Sequence, residues 1–129
     1  MADLTNIFGG AYSAQPTEPK TIKDHALAYA SIGWRIFPAH NIEGGKCSCG
    51  DLKCKSPGKH PRFNGWQDAA TSDTKQINQW WDVWPNANIA MATGSQSGVW
   101  ALDIDVKDSG DYSLEQLIAE NGELPETPM

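Results

Sequence analysis

The chain has 129 residues, 40% apolar and 20% charged, with a formal net charge of −6. That length suits one domain, and no run of roughly 18 apolar residues is present to span a bilayer. Three cysteines crowded into one segment exclude the pattern of a secreted disulfide scaffold and fit a reduced, cytoplasmic setting.

The start, residues 1–20, lacks the basic patch and apolar stretch of a secretory signal. It is polar, carries Gly9, Gly10, Pro16 and Pro19, and reads as a flexible tail. From Thr21 the pattern turns helical. Ile22, Ala26, Tyr29 and Ala30 recur at helical spacing, Thr21 can cap the start and Gly33 sits at the end. Trp34 to Pro38 predicts a short buried strand. Residues 41–65 are too polar and too interrupted by glycine for either regular structure, and a loop of that length needs an internal organiser.

A second helix is expected from Ser72 or Asp73, with Ile77, Trp80, Trp81 and Trp84 on one stripe and Pro85 as its stop. Core packing accounts for that stripe better than base stacking does, and six tryptophans in so short a chain argue for a packed interior. Asn88 to Ala92 and Gly98 to Asp105 predict two strands separated by a turn at Gly94, Ser95 and Ser97. Ser113 with Gln116 resembles a capping box opening a third helix, closed by Asn121 and Gly122. This order of elements indicates an α+β domain.

The charge is unevenly spread. Lys46, Lys53, Lys55, Lys59 and Arg62 are half of the ten basic residues, whereas the stretch from Asp103 to Met129 holds eight acids against Lys107. An acidic chain does not coat nucleic acid indiscriminately, but a local basic lobe can still touch phosphates. Within that lobe Cys47, Cys49, Cys54 and His60 follow the spacing C-x-C-x4-C-x5-H. Three thiolates and an imidazole make a closed, structural zinc site, and the ion would supply the folding free energy that the loop lacks. His40 is an alternative fourth ligand, and three free thiols beside a surface histidine is the bland alternative.

In the predicted strand Gly98–Asp105, side chains alternate, so Asp103 and Asp105 would share one face. Two neighbouring carboxylates repel unless a cation offsets the charge, and carboxylates with waters are the usual ligands of Mg²⁺ or Mn²⁺. Taken alone the pair is weak: it also occurs in sugar-nucleotide transferases, in phosphatases and as ordinary strand-end solvation. Asp108 and Asp111 follow in a turn whose geometry the sequence does not reveal.

Several stretches taken together are more specific. These are Ala26-Leu-Ala-Tyr-Ala30, Gly33-Trp-Arg-Ile-Phe-Pro38, the cysteine cluster ending Gly58-Lys-His-Pro61, and Asp68-Ala-Ala-Thr-Ser-Asp73. Trp80-Trp81, Pro85-Asn-Ala-Asn-Ile89, Thr93-Gly94, Ser97-Gly98, Leu102-Asp-Ile-Asp105 and Leu124-Pro125 follow in order. From Ile22 to Pro128 the chain resembles the N-terminal primase–polymerase domain of bifunctional DNA primase/polymerases of phages, plasmids and integrated elements. The resemblance implies an archaeo-eukaryotic-primase-like core acting on a DNA template with nucleoside triphosphates, beside a fused or separate helicase. It implies that Asp103 and Asp105 form the first acidic motif, binding catalytic Mg²⁺ or Mn²⁺. Cys47, Cys49, Cys54 and His60 match the zinc-binding insertion, with Lys59 and Arg62 beside it as candidate contacts to nucleotide or template.

In that family Leu-Pro-x-Thr leads into a Ser-Gly-Gly-x-His strand and a later metal-binding acid, both beyond Met129. The expectation is therefore the N-terminal half of such a core, residues 21–129, with little polymerase activity in these residues alone and a sheet edge awaiting a partner. The alternative is a non-catalytic, zinc-stabilised module that binds DNA or a replication partner.

Overall fold

The computed structural model describes residues 18 and 20–127, so the tail expected over residues 1–20 lies almost wholly outside the described residues. The chain forms two compact units, Met1–Val99 and Trp100–Met129. In the first, helix α1 (Ile22–Ser31) is followed by strands β1 (Ile36–Ala39), β2 (Ile42–Glu43) and β3 (Lys46–Cys47). A short helix α2 (Trp66–Ala69), helix α3 (Thr74–Val83) and strand β4 (Asn88–Met91) complete it. The second unit holds a 3-10 turn (Val106–Asp108) and helix α4 (Gly110–Asn121). Helices with two small antiparallel sheets make the expected α+β class.

Strand β1 organises the first unit. It pairs antiparallel with β4, Ile36 opposite Met91 and Ala39 opposite Asn88. Its other edge is closed by single bridges to Thr71 and Pro61, with His40 N–H donating to the His60 carbonyl and Arg62 N–H to the Pro38 carbonyl. Every residue of β1 is buried. Successive side chains alternate in direction, so Ile36 joins Ala26, Ala30, Ile77, Trp81 and Ala87 in one cluster while Phe37 joins Ala70 and Ala92 in another. The tryptophan stripe of α3 is core, as its spacing predicted: Trp81 is buried, and Trp80 and Trp84 pack around it half-buried. Asp73 starts that helix, its carboxylate accepting from the Lys75 and Gln76 N–H groups.

Thr21 caps α1 in a capping box: its hydroxyl accepts from Asp24 N–H at 3.1 Å and Asp24 Oδ2 accepts from Thr21 N–H at 3.0 Å. Thr21→Ala should cost about 1 kcal/mol of stability, read from the urea midpoint. The Thr21 side chain, then the Lys20 and Thr21 backbone N–H groups, hold the Asp24 carboxyl below its ordinary range. A depressed carboxylate adds stability above its unfolded pKa and loses it as pH falls through the lower folded value. The stability gap between the native protein and Asp24→Asn should therefore be full at neutral pH and close below about pH 4.

Four expectations need correction. The first strand runs Ile36–Ala39 rather than from Trp34, because Trp34 N–H donates to the Tyr29 carbonyl and its ring stacks on Tyr29, 5.4 Å between centroids. The 41–65 segment is not all loop: Gly44 and Gly45, at φ +55° and +77°, make the two-residue turn of the β2–β3 hairpin. Gly98–Asp105 is not a strand. Val99 makes one bridge, to Gly94, and residues 100–104 carry no backbone hydrogen bond among the described residues; an apolar alternation becomes a strand only where a neighbouring edge takes its polar backbone groups. Helix α4 begins at Gly110, not at a Ser113 cap, and the Ser113 hydroxyl instead bonds back to the Ser109 carbonyl at 3.2 Å. Its end at Asn121, with Gly122 next, is as expected.

Candidate metal centre and acidic segment

The hairpin brings Cys47 onto β3, and the chain then loops back so that Cys49, Cys54 and His60 converge on it. Cys47 Sγ and Cys54 Sγ each lie 3.5 Å from His60 Nε2, and all four ligand atoms lie within 4.8 Å of one another. Zinc bonds of about 2.3 Å to sulfur and about 2.0–2.1 Å to nitrogen, at the tetrahedral angle, place such atoms roughly 3.6 Å apart. The geometry and the donor chemistry both fit, and these four residues could hold a zinc ion. Cys47 is 8% exposed and the other three are half-buried. The Gly58 backbone N–H, donating to Cys47 Sγ at 3.4 Å, holds that thiol down to about 6 in spite of burial. Ser56 draws Cys54 the same way, but burial and the neighbouring Cys49 and Cys47 sulfurs outweigh it and push the Cys54 thiol up.

His40, the alternative fourth ligand, stands behind the centre rather than in it. Its ring lies 4.4 Å from that of His60, and its Nδ1 is 2.8 Å from Ser48 Oγ. Burial, then electrostatic repulsion from the neighbouring His60 and Arg62 side chains, holds its pKa below the ordinary imidazole value. Ser48 Oγ also accepts from the Asn41 N–H and from Arg62 Nη2, each at 3.1 Å. This web of His40, Asn41, Ser48 and Arg62 fastens the loop to the end of β1. Nothing in the residue spacing announced it, because each member is a common polar residue whose partner is at least seven positions away.

Arg62 and Lys59, paired in the sequence as contacts, differ sharply. The Arg62 guanidinium donates from Nε to the Ala39 carbonyl at 3.1 Å and from Nη2 to Asn41 Oδ1 at 2.5 Å. It also lies over the Trp84 ring, 5.4 Å from the centroid. The Lys59 side chain is exposed.

In the second unit, Asp103 and Asp105 are exposed on an irregular segment whose apolar neighbours Trp100, Leu102 and Ile104 are 69%, 46% and 39% exposed. Asp105 Oδ1 accepts from Lys107 N–H at 3.1 Å, capping the 3-10 turn, and Lys107 Nζ stands 3.5 Å from Oδ2. The Asp105 backbone is tightly seated: a Cβ on Gly110 would meet its carbonyl oxygen at 2.8 Å. Only glycine allows that approach, a constraint the sequence did not flag. Asp108 lies in the turn and Asp111 in the first turn of α4. Among the described residues Cys47, Cys49, Cys54 and His60 are the only group of three or more metal-binding side chains that converge, so no third such group joins Asp103 and Asp105. No described helix is long and apolar enough to cross a membrane.

The family model described as "Bifunctional DNA primase/polymerase, N-terminal" matches residues 26–129. No curated protein and no solved structure matches the chain.

Proposed function

The chain belongs to the bifunctional DNA primase/polymerase N-terminal family, and from that premise we propose that it takes part in template-directed nucleotidyl transfer. DNA and nucleotides are the substrates the family implies. The match over residues 26–129, which includes both the cysteine cluster and the Asp103–Asp105 pair, is the observation that carries the reading. The proposed core is of the archaeo-eukaryotic primase type, and the proposed setting is replication of a phage, plasmid or integrated element in the cytoplasm, beside a helicase. Zinc held by Cys47, Cys49, Cys54 and His60 is the structural ion of this proposal.

Asp103 and Asp105 offer exposed carboxylate oxygens, the donors of a Mg²⁺ or Mn²⁺ ion that keeps several waters and takes the rest of its shell from substrate phosphates. The proposed chemistry is two-metal nucleotidyl transfer, in which one such ion would acidify a primer 3′-hydroxyl and the other would neutralise the leaving pyrophosphate. Asp105 is positioned by its own cap on the Lys107 N–H and by the close seat on Gly110.

In the protein that carries this sequence, Asp103→Ala should lower Mg²⁺-dependent incorporation on a primed template at least ~100-fold, about 2.7 kcal/mol of transition-state stabilisation. Mn²⁺ should broaden the backbone resonances of Asp103 and Asp105 and not those of the variant. Incorporation that survives the substitution would refute the assignment. A non-catalytic zinc-stabilised binding module is the second reading, favoured by the lack of a third metal-binding group beside the acid pair among the described residues. Its mark is DNA binding without incorporation.

A further inference from the structure

We propose that the metal loop is a cationic knob that grips the phosphate backbone of single-stranded DNA through Lys46, Lys53, Lys55 and Lys59, and that Arg62 is not one of its contacts. The proposal rests on the DNA primase/polymerase reading and deepens it by naming where the strand is held. Each of these lysines is adjacent in sequence to a residue of the metal cluster. Lys46 precedes Cys47, Lys53 and Lys55 flank Cys54, and Lys59 precedes His60. Adjacent Cα atoms are about 3.8 Å apart, so the convergence of the four ligand atoms within 4.8 Å carries the four lysines onto one small shell.

All four lysines are exposed. Among the described residues the ion pairs join Lys23 to Asp82 and Lys107 to Asp105, and none involves a lysine of the loop. Asp51, the acid within the loop, turns its Oδ1 to the Lys53 backbone N–H at 2.8 Å. With three thiolates and a zinc ion the segment from Lys46 to Arg62 keeps a formal charge of about +3. Arg62 contributes to that field from within, its Nε and Nη2 bound to Ala39, Asn41 and Ser48. Four flexible ammonium groups on an otherwise acidic chain suit a polyanion read without sequence preference, the pattern of backbone tracking. A single triphosphate is compact and would be met by a few converging donors instead.

The test is fluorescence anisotropy of a labelled single-stranded oligonucleotide titrated with zinc-loaded protein between 50 and 200 mM salt. For single strands each phosphate contact contributes about −0.7 to the slope of log K against log salt, so the native slope should approach about −3. The quadruple change K46A/K53A/K55A/K59A should reduce affinity at least ~10-fold at the low-salt end and bring the slope towards zero with zinc content unchanged. The quadruple lysine-to-arginine variant should bind like the native protein, and K53A/K55A should lose about half the slope. Zinc chelation should weaken binding as the quadruple alanine variant does. An unchanged slope in zinc-loaded K53A/K55A or in the quadruple alanine variant would overturn the proposal, and so would competition by ATP as effective as by oligonucleotide. In the protein that carries this sequence, incorporation that persists beside an unchanged slope sinks the knob alone, whereas a lysine-dependent slope without incorporation upholds it and sinks the catalytic reading alone.

Discussion

Cys47→Ser is expected to strip the protein of stoichiometric zinc and to release the loop between Asn41 and Arg62 from its fixed path. Cys47 is the most buried member of the cluster, 8% exposed, and the one whose sulfur receives the Gly58 N–H as well as facing His60 Nε2. A hydroxyl is a poor replacement for a thiolate at zinc, and the binding free energy of structural zinc sites, about 10–16 kcal/mol in small zinc-finger peptides, is folding free energy for the segment they close. Beyond the polar web at Asn41 and Ser48 the loop has little to hold it: the hairpin is two residues per strand, and Ile42 and Leu52, its large apolar side chains, are 50% and 85% exposed. Elemental analysis of reduced protein should give about one zinc for the native chain and none for the variant. Amide exchange should rise through residues 41–60 and stay low in β1, which β4 still pairs. His40→Ala is the control and should keep its zinc, because the His40 ring stands against His60 and its Nδ1 faces Ser48. A variant at Cys47 that still carries one zinc would remove the centre from the account.

How much of this could be read before folding depends on how local the physics is. The capping box of α1, the Asp73 cap and the tryptophan stripe of α3 are contained within a few turns of one helix, and spacing alone discloses them. The metal cluster is legible for another reason: cysteine and histidine are sparse, and their crowding between Cys47 and His60 is itself a signal. The Asp-x-Asp segment shows the limit. Its alternation predicts a strand, yet residues 100–104 have no backbone partner among the described residues. Period states which face would be buried and says nothing of whether an edge is available. Arg62 fails in the opposite sense. A guanidinium in a basic run reads as surface, and three acceptors from Ala39, Asn41 and Ser48 turn it inward. The Gly44–Gly45 pair is a hairpin signal that the reading of 41–65 as a loop passes over, because paired glycines accept the positive φ of a tight turn.

Trp81→Ala should be the most damaging change away from the metal. Trp81 is 1% exposed and lies among Ala26, Ala30, Ile36, Ile77 and Ala87. Three of those neighbours are alanines, already the smallest side chains that can line a core, so the surroundings have little with which to fill the space left behind. Truncating a buried tryptophan costs about 3–5 kcal/mol, and here the indole N–H also serves the buried Ala87 carbonyl at 3.2 Å, which would lose its donor. Against a total stability of about 5–15 kcal/mol, that should lower the midpoint of thermal unfolding by roughly 15–30 °C. Trp81→Phe should cost about 1–3 kcal/mol, since it keeps most of the ring and loses the hydrogen bond. Circular dichroism in urea separates the three proteins without relying on tryptophan emission. Because β1 meets the Trp81 cluster through Ile36 and the metal loop through Pro38 and the His40 that follows the strand, added zinc should recover part of the loss in Trp81→Ala, binding the folded state and not the unfolded one. Zinc should recover nothing in Cys47→Ser. A Trp81→Ala protein whose midpoint lies within a few degrees of the native one would mean that this cluster is not what holds β1 in place.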